Sequence, residues 1–253
     1  MPRQRTLRRP PAAAWPARRR PFRRSFTLGG SGKSTVARLL ADRLGALLFD
    51  TGALYRAVTL AAIRAGVAPG DGEPLARLAS EAQITVRAPS IDDGRLYDVL
   101  LDGEDVTWAV RSPEVGCAVS EISAQASVRA ALLATQRSIA SFRPVVMVGR
   151  DIGTVVVPDA GLKIYLDASQ AERARRRYRE TQLHGATETF EDILGETIRR
   201  DTTDTLRETA PLRVAQDAVR IETDEMSVGE VADTIETIAR SLRRPSGQPV
   251  WPA

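Results

Sequence analysis

Thr27-Leu28-Gly29-Gly30-Ser31-Gly32-Lys33-Ser34-Thr35 is the stretch that decides how this chain is read. From Gly29 onward it has the form of the closing part of a phosphate-binding loop. Glycines there let successive backbone N–H groups converge on phosphate oxygens without side-chain obstruction. Lys33 is placed to neutralise the β and γ phosphates, Ser34 to ligate Mg²⁺, and a helix N-terminus adds partial positive charge. Val36, Leu39, Leu40 and Leu44 fall on one face of the helix predicted to follow, with Gly45 as its stop. The plainer alternative is a flexible Gly/Ser turn before a helix.

Upstream, the pattern breaks. A full loop needs glycine five residues before Gly32, and that position is Thr27. Residues 21–28 read Pro-Phe-Arg-Arg-Ser-Phe-Thr-Leu, whereas a strand covered on both faces should be almost wholly apolar. Arg23 and Arg24 in the middle of such a strand would each cost several kcal/mol if unpaired. Residues 1–25 hold nine arginines and no acidic residue, and residues 1–22 hold five prolines. That composition opposes both a helix and collapse, so the segment is expected to be disordered. Its possible origins are a basic tail, a targeting peptide whose prolines spoil the amphipathic helix, or a non-native reading of the gene.

The charge of the whole chain misleads unless it is split. The 253 residues carry 36 basic and 32 acidic side chains, but residues 26–253 carry 27 against 32. The basic excess therefore belongs to the N-terminal tenth and gives no reason to expect a nucleic-acid-binding surface on the folded part. One cysteine, Cys117, and one histidine, His184, exclude a disulfide framework and thiolate-rich or multi-histidine metal sites, and a histidine-based triad is not expected. No uninterrupted apolar run reaches 18 residues. A soluble, cytoplasmic protein is expected. Lysine occurs only at positions 33 and 163, which makes one inside a Gly-rich loop conspicuous.

Ala46–Phe49 reads as a short apolar strand running into Asp50-Thr51-Gly52-Ala53-Leu54-Tyr55-Arg56 and then a helix stopped by Gly66. That order puts Asp50, Thr51, Tyr55 and Arg56 near the carboxyl edge of a parallel sheet, where α/β proteins bind ligands. Residues 84–107 change character: Asp93-Gly94 and Asp102-Gly103 separate short β-rich stretches and predict a small antiparallel insert outside the main core. Val145–Val148 suits a buried parallel strand and leads into Gly149-Arg150-Asp151, which can offer a ligand both a cation and a carboxylate. Leu162–Leu166 is a further strand. Ser169 with Glu172 forms a predicted capping box opening an Arg-rich helix. Its Arg173, Arg176 and Arg177 share a face, either as a solvated basic stripe or as a phosphate clamp. Arg199, Arg200, Asp201, Asp204 and Arg207 form another mixed-charge helical stripe.

Taken together, these blocks resemble the bacterial-type cytidylate kinases, a family of nucleoside monophosphate kinases. The resemblance runs from about Gly29 to Leu242. It rests on Gly-Ser-Gly-Lys-Ser, Asp50–Arg56, Leu101–Val106, Gly149–Val156 with Pro158–Ala160, Glu172–Arg177, and Arg200-Asp201 with Asp204, Arg207 and Ala210–Leu212. Their shared order and spacing, rather than any single block, make the match specific. It implies an α/β fold: a P-loop kinase core whose parallel sheet is flanked by helices. To this are added a small antiparallel monophosphate-binding insert and a helical Arg-rich lid. The core would comprise residues 26–65 and 113–242, with the lid at about 168–200, the insert at 66–112 and a C-terminal tail at 243–253.

The resemblance also implies roles. Gly29, Gly30, Ser31, Gly32, Lys33, Ser34 and Thr35 would hold the ATP phosphates, with Ser34 on Mg²⁺. Arg173, Arg176 and Arg177 would close over ATP from the lid. Thr51, Tyr55 and Arg56 would line the CMP site, and Ser120, Arg129 and Asp151 would face the cytosine edge. Arg150 and Arg207 would hold the CMP phosphate, while Arg200 and Asp204 would sit at ribose and phosphate. Lys33, Arg150 and Arg207 would carry the catalytic charge. The expected partners are ATP and CMP or dCMP, with no membrane or nucleic acid, and a monomer is the expected state. Where the family has an apolar strand ending in Asp-Gly-Pro, this chain has Phe26, Thr27 and Leu28. That abrupt departure is what a frame or start error in a GC-rich gene would produce. Two other functions fit the same residues: another small-molecule P-loop kinase, and a non-catalytic nucleotide fold with a basic arm for nucleic acid.

Overall fold

Val145–Val148 forms strand β6 with every side chain buried, as a continuous apolar run in a doubly covered sheet should be. The structure, a computed structural model, describes residues 25–30, 33–142, 144–149, 151–183, 188–206 and 214–241. Around β6, four more parallel strands assemble: β1 (Ser25–Gly30), β2 (Leu47–Asp50), β7 (Leu162–Asp167) and β8 (Val219–Glu222), in the order β2-β6-β1-β7-β8. This is the α/β P-loop kinase arrangement. Helix α1 (Lys33–Leu44) ends just before Gly45 and buries Val36, Ala37, Leu40 and Ala41. It packs on β6 and on α8 (Val228–Ser241), which buries Val231, Ala232, Ile235 and Ala239. Among the described residues no helix is long and apolar enough to cross a membrane.

The central strand requires a correction. The sequence reading placed the approach to the loop at residues 21–28 and judged it unfit for a buried strand. The structure instead forms β1 from Ser25–Gly30, starting downstream of both arginines, which lie outside the described residues. It pairs on both sides, Ser25–Leu28 with Val145–Val148 and Phe26–Gly30 with Leu162–Leu166. None of its six residues is charged, so the desolvation penalty expected for this position does not fall on the strand. Thr27, where the loop pattern wants glycine, lies inside β1 opposite Met147 and Lys163. Lys163 itself is buried and reaches Asp217 at 2.7 Å, so this lysine is structural.

The predicted antiparallel insert is present as β3 (Ile84–Arg87), β4 (Asp98–Leu101) and β5 (Glu104–Asp105). Asp102 and Gly103 both adopt positive φ, +51° and +89°, the conformation a two-residue hairpin needs. Asp93-Gly94 does not make a tight turn: it lies in the ten-residue connection between β3 and β4. Nor does the sheet stand outside the core, because Ile84, Val86, Val99 and Leu101 belong to the same hydrophobic cluster as Phe49 and Met147. Helices α2 (Gly52–Arg64), α3 (Gly72–Glu81) and α5 (Ala126–Phe142) connect the two sheets.

What Asp93 does instead is help hold a buried guanidinium. Arg95, 7% exposed, bonds Asp93, Asp98 and Asp105 at 2.6–3.0 Å, and Arg87 bonds Asp98 from the other side. Asp93 is held below its ordinary value by donors from Arg95 and Trp108, and Asp105 is brought down to about 2 by Thr107 and Arg95. Burial pushes Asp98 up, but bonds from Ser90, Arg95 and Arg87 outweigh it and bring it down. Groups depressed in the folded state stabilise it above their unfolded value, and that support is lost as pH falls through the folded values. The insert is therefore expected to weaken between about pH 4 and pH 2. Urea midpoints at pH 7 and pH 3 check this, and the difference should shrink in Arg95→Met.

Candidate active site

The carboxyl edge of the parallel sheet gathers the chemistry. Strand β1 feeds α1 and then β2 on one side, while β7 leads towards β8 on the other, so the strand ends open into a crevice. Gly29 and Gly30 close β1, and Lys33 and Ser34 open α1. Ser31 and Gly32 lie outside the described residues. Thr35 is exposed in the same first turn.

At the end of β2 the sequence Asp50-Thr51-Gly52 is latched to its neighbour. The Thr51 backbone N–H and hydroxyl both donate to the Val148 carbonyl at 3.0 Å, and the Gly52 N–H donates to Asp50 at 2.9 Å. Burial pushes the Asp50 carboxyl up, opposed by the Gly52 N–H and by the cations Lys33, Arg56 and Arg111. One turn into α2, Tyr55 is buried, which raises its phenol, and it accepts a bond from Gln136 at 3.3 Å. Arg56 donates to the Val110 carbonyl at 3.3 Å.

The opposite wall comes from α4 (Pro113–Ile122), α5 and the segment after β6. Arg129 donates to the Ser123 carbonyl at 3.0 Å, stands 5.3 Å from the centre of the Tyr55 ring, and pairs with Asp151. Asp151 is 6% exposed and its carbonyl accepts from Val155 at 2.8 Å and Val156 at 3.2 Å. The Val156 bond and the Val157 N–H to Ile152 carbonyl bond at 2.7 Å span five residues, making a π-helical turn over Ile152–Val156. Such turns are rare and concentrate at functional sites.

Gly149 lets this turn approach β2. A Cβ there would lie 2.5 Å from both the Thr51 hydroxyl and the Ile152 side chain. Gly149→Ala is therefore expected to destabilise the fold by about 1–3 kcal/mol. Thermal denaturation checks this.

The result is a cleft of about 330 Å³. Its walls bring together eight of the residues expected from the sequence: Lys33, Ser34, Thr51, Tyr55, Arg56, Ser120, Arg129 and Asp151. Arg150 and Arg207 lie outside the described residues. Arg200 and Asp204 lie one turn apart on α7 (Phe190–Leu206), placed by their backbone alone.

The three arginines of α6 (Gln170–Leu183) do not line the cleft. Arg173 donates to the Ala168 carbonyl at 3.2 Å, Arg176 holds Glu172 and the Thr223 carbonyl, and Arg177 pairs with Glu196 of α7 at 3.1 Å. They fasten α6 to the sheet edge and to its neighbour. The predicted capping box at its start is half formed: Ser169 accepts from the Glu172 N–H at 3.2 Å, but the Ser169 N–H goes to Asp224. Glu172 is engaged with Arg175 and Arg176 instead.

Sequence reasoning left out Val119 and Ser123 of the lining and the Gln136 bond to Tyr55. Ser123 follows Ser120 by three residues and Gln136 follows Arg129 by seven. Helical periodicity alone could have raised both.

Comparison with known proteins agrees with this geometry. The model of the family described as cytidylate kinase matches residues 29–241. The cytidylate kinase of Herpetosiphon aurantiacus is 47% identical over 81% of this chain and 88% of its own length. That of Geobacter sulfurreducens is 45% identical over 85% and 91%, and that of Chloroflexus aggregans 52% identical over 69% and 76%. A helix opening on Lys33-Ser34, a cleft at the carboxyl edge of the sheet and a match over most of the chain's length coincide, and the chain belongs to the cytidylate kinase family.

Proposed function

We propose that the cleft transfers the γ-phosphoryl group of ATP to CMP or dCMP, giving CDP or dCDP. The observation that carries this reading is one cleft with two chemically different ends. Lys33 and Ser34 supply a phosphate end, and the Arg129–Asp151 pair supplies a hydrogen-bonding end of paired cation and carboxylate. Asp151 has a carboxylate oxygen able to accept from the exocyclic amine of cytosine, a donor that uracil lacks. Arg129, held by Tyr55 and the Ser123 carbonyl, orients that carboxylate. Thr51, Tyr55, Arg56 and Ser120 frame the acceptor between the two ends.

The reaction brings two polyanions together, so catalysis is mainly positioning and charge stabilisation. Lys33 neutralises the transferring group, and Arg150 and Arg207 hold the acceptor phosphate. Arg200 and Asp204 bind at the ribose and phosphate. Gly29–Thr35 cradle the ATP phosphates, and Arg173, Arg176 and Arg177 act from a lid that exchanges their present partners for phosphate oxygens on closure and excludes water. The accepting phosphate oxygen is already anionic, so no general base is needed. Ser34 and Asp50 place two hard oxygen donors on the same wall as Lys33, a donor set that fits Mg²⁺. Among the described residues no cluster of three His, Cys, Asp or Glu is placed to hold a metal, so phosphates and water would complete the shell. Mg²⁺ bound there supplies charge neutralisation to the transferring phosphoryl group.

We take the enzyme to be a cytoplasmic monomer. Equilibrium binding of CMP, dCMP, UMP and AMP to the full chain tests the acceptor assignment. CMP and dCMP should bind tightest, and equal affinity for UMP would contradict the role given to Asp151.

A further inference from the structure

Two arginines of one helix bracket the π-helical turn over Ile152–Val156. At its start, Arg129 of α5 pairs with the Asp151 carboxylate. At its end stands Arg137, about two turns further along α5. It donates from Nε to the Val156 carbonyl at 2.9 Å and from Nη2 to the Val155 carbonyl at 3.0 Å. The last carbonyls of a helical turn have no partner within it, and arginine is a ready donor to them. Here both donors lie on one edge of a rigid, planar guanidinium, so they fit consecutive carbonyls only in one relative position.

That position belongs to the π register. The Asp151 carbonyl accepts from Val155 at 2.8 Å and from Val156 at 3.2 Å, and the Ile152 carbonyl accepts from Val157 at 2.7 Å. An α register would keep the Val155 bond and break both five-residue bonds, turning the Val155 and Val156 carbonyls about the axis and off the fork. Ile152 and Val156 bury the inner face of the turn, but apolar packing is non-directional and does not fix where carbonyls point. The fork of Arg137 does. Arg137 itself does not line the cleft, whereas Asp151 does.

We propose that Arg137 is a positioning residue for base selection: by locking the π register it sets where the Asp151 carboxylate stands in the cleft. This rests on the CMP-acceptor reading and deepens it, because preference for cytosine then depends on a residue that never meets the nucleotide. Helix α5 acts as the ruler, with Arg129 fixing the carboxylate of Asp151 and Arg137 fixing the backbone that carries it.

The test is the ratio of kcat/KM values for CMP and UMP in the full chain, in Arg137→Met and in Arg137→Lys, each alone and combined with Asp151→Asn. Loss of folded protein lowers both acceptors alike and cancels in that ratio, so a merely structural role leaves it unmoved. A displacement of about 1 Å at a site can cost about 100-fold, and Arg137→Met should lower the ratio about tenfold or more. Arg137→Lys can reach one carbonyl but not both and should lower it less. In the Asp151→Asn background neither substitution should change the ratio further, because both act through the same carboxylate. A wild-type ratio in Arg137→Met overturns the proposal, as do losses that add to that of Asp151→Asn. If Arg137→Met does not fold, Arg137→Lys decides, and a wild-type ratio there overturns it equally. A wild-type chain with no preference for CMP overturns the functional reading and takes this assignment with it, whereas failure of the assignment alone leaves that preference intact.

Discussion

Lys33→Met is expected to lower kcat for phosphoryl transfer by about three orders of magnitude, the cost typical of removing one preorganised charge at a developing anion. Lys33 is the first residue of α1 and shares the cleft wall with Ser34 and Asp50. In the proposed reaction its ammonium neutralises the charge that accumulates as the phosphoryl group moves between two polyanions. The folded state should notice little, with unfolding free energy changed by under about 1 kcal/mol, since the buried face of α1 is formed by Val36, Ala37, Leu40 and Ala41. CMP binding should be largely kept, because the end proposed to read the base lies on α5 and after β6. Steady-state kinetics with a urea titration separates these effects. A parallel collapse of stability and rate would make Lys33 a structural residue.

Asp151→Ala carries the second large effect, and here stability and specificity move together. Asp151 is 6% exposed and neutralises Arg129, whose side chain is 15% exposed and also bonded to the Ser123 carbonyl. Removing the carboxylate strands a buried cation, at a cost of about 3–5 kcal/mol. Replacing both partners, as in Arg129→Met with Asp151→Leu, removes the stranded charge and should recover most of that stability. The double variant should still have lost its preference for CMP over UMP. Asp151→Asn is the finer probe: it keeps the shape and turns the charged acceptor into an amide that can also donate to the uracil O4. Selectivity for CMP over UMP should then fall by about 100-fold, as when a site's paired hydrogen bond is lost. Urea unfolding and the ratio of kcat/KM values for the two acceptors give both readouts. Selectivity that survives in the double variant would remove this pair from base recognition.

Much of the frame could be read directly. Val145–Val148 is a strand residue for residue, as four consecutive apolar side chains, three of them β-branched, suit a strand buried on both faces. The end of α1 was announced by Gly45 after a regular apolar stripe. Cleft residues such as Thr51, Tyr55 and Asp151 were visible because they directly follow apolar strands, and chain order puts strand ends on one edge of a parallel sheet. The rest depends on contacts that sequence does not encode locally. Strand β1 could not be placed from residues 21–28, since its register is set by Val145–Val148 and Leu162–Leu166 on either side.

The side-chain partners were hidden for the same reason. The Asp93-Gly94 pair looks like the Asp102-Gly103 turn, yet its aspartate was recruited by Arg95 and Trp108. Ser169 found its N–H acceptor 55 residues away at Asp224, which no local capping pattern could show. The π-helical turn after Asp151 leaves no periodic signature in five residues.

The most direct measurement is CDP formation from ATP, Mg²⁺ and CMP by the purified 253-residue chain, with dCMP, UMP and AMP as parallel acceptors. Rapid turnover of CMP and dCMP, with UMP and AMP far slower, is the predicted result, and it would show that β1 as formed by Ser25–Gly30 supports a working phosphate loop. A chain that binds ATP yet transfers nothing to CMP, or transfers equally to UMP, would contradict the account.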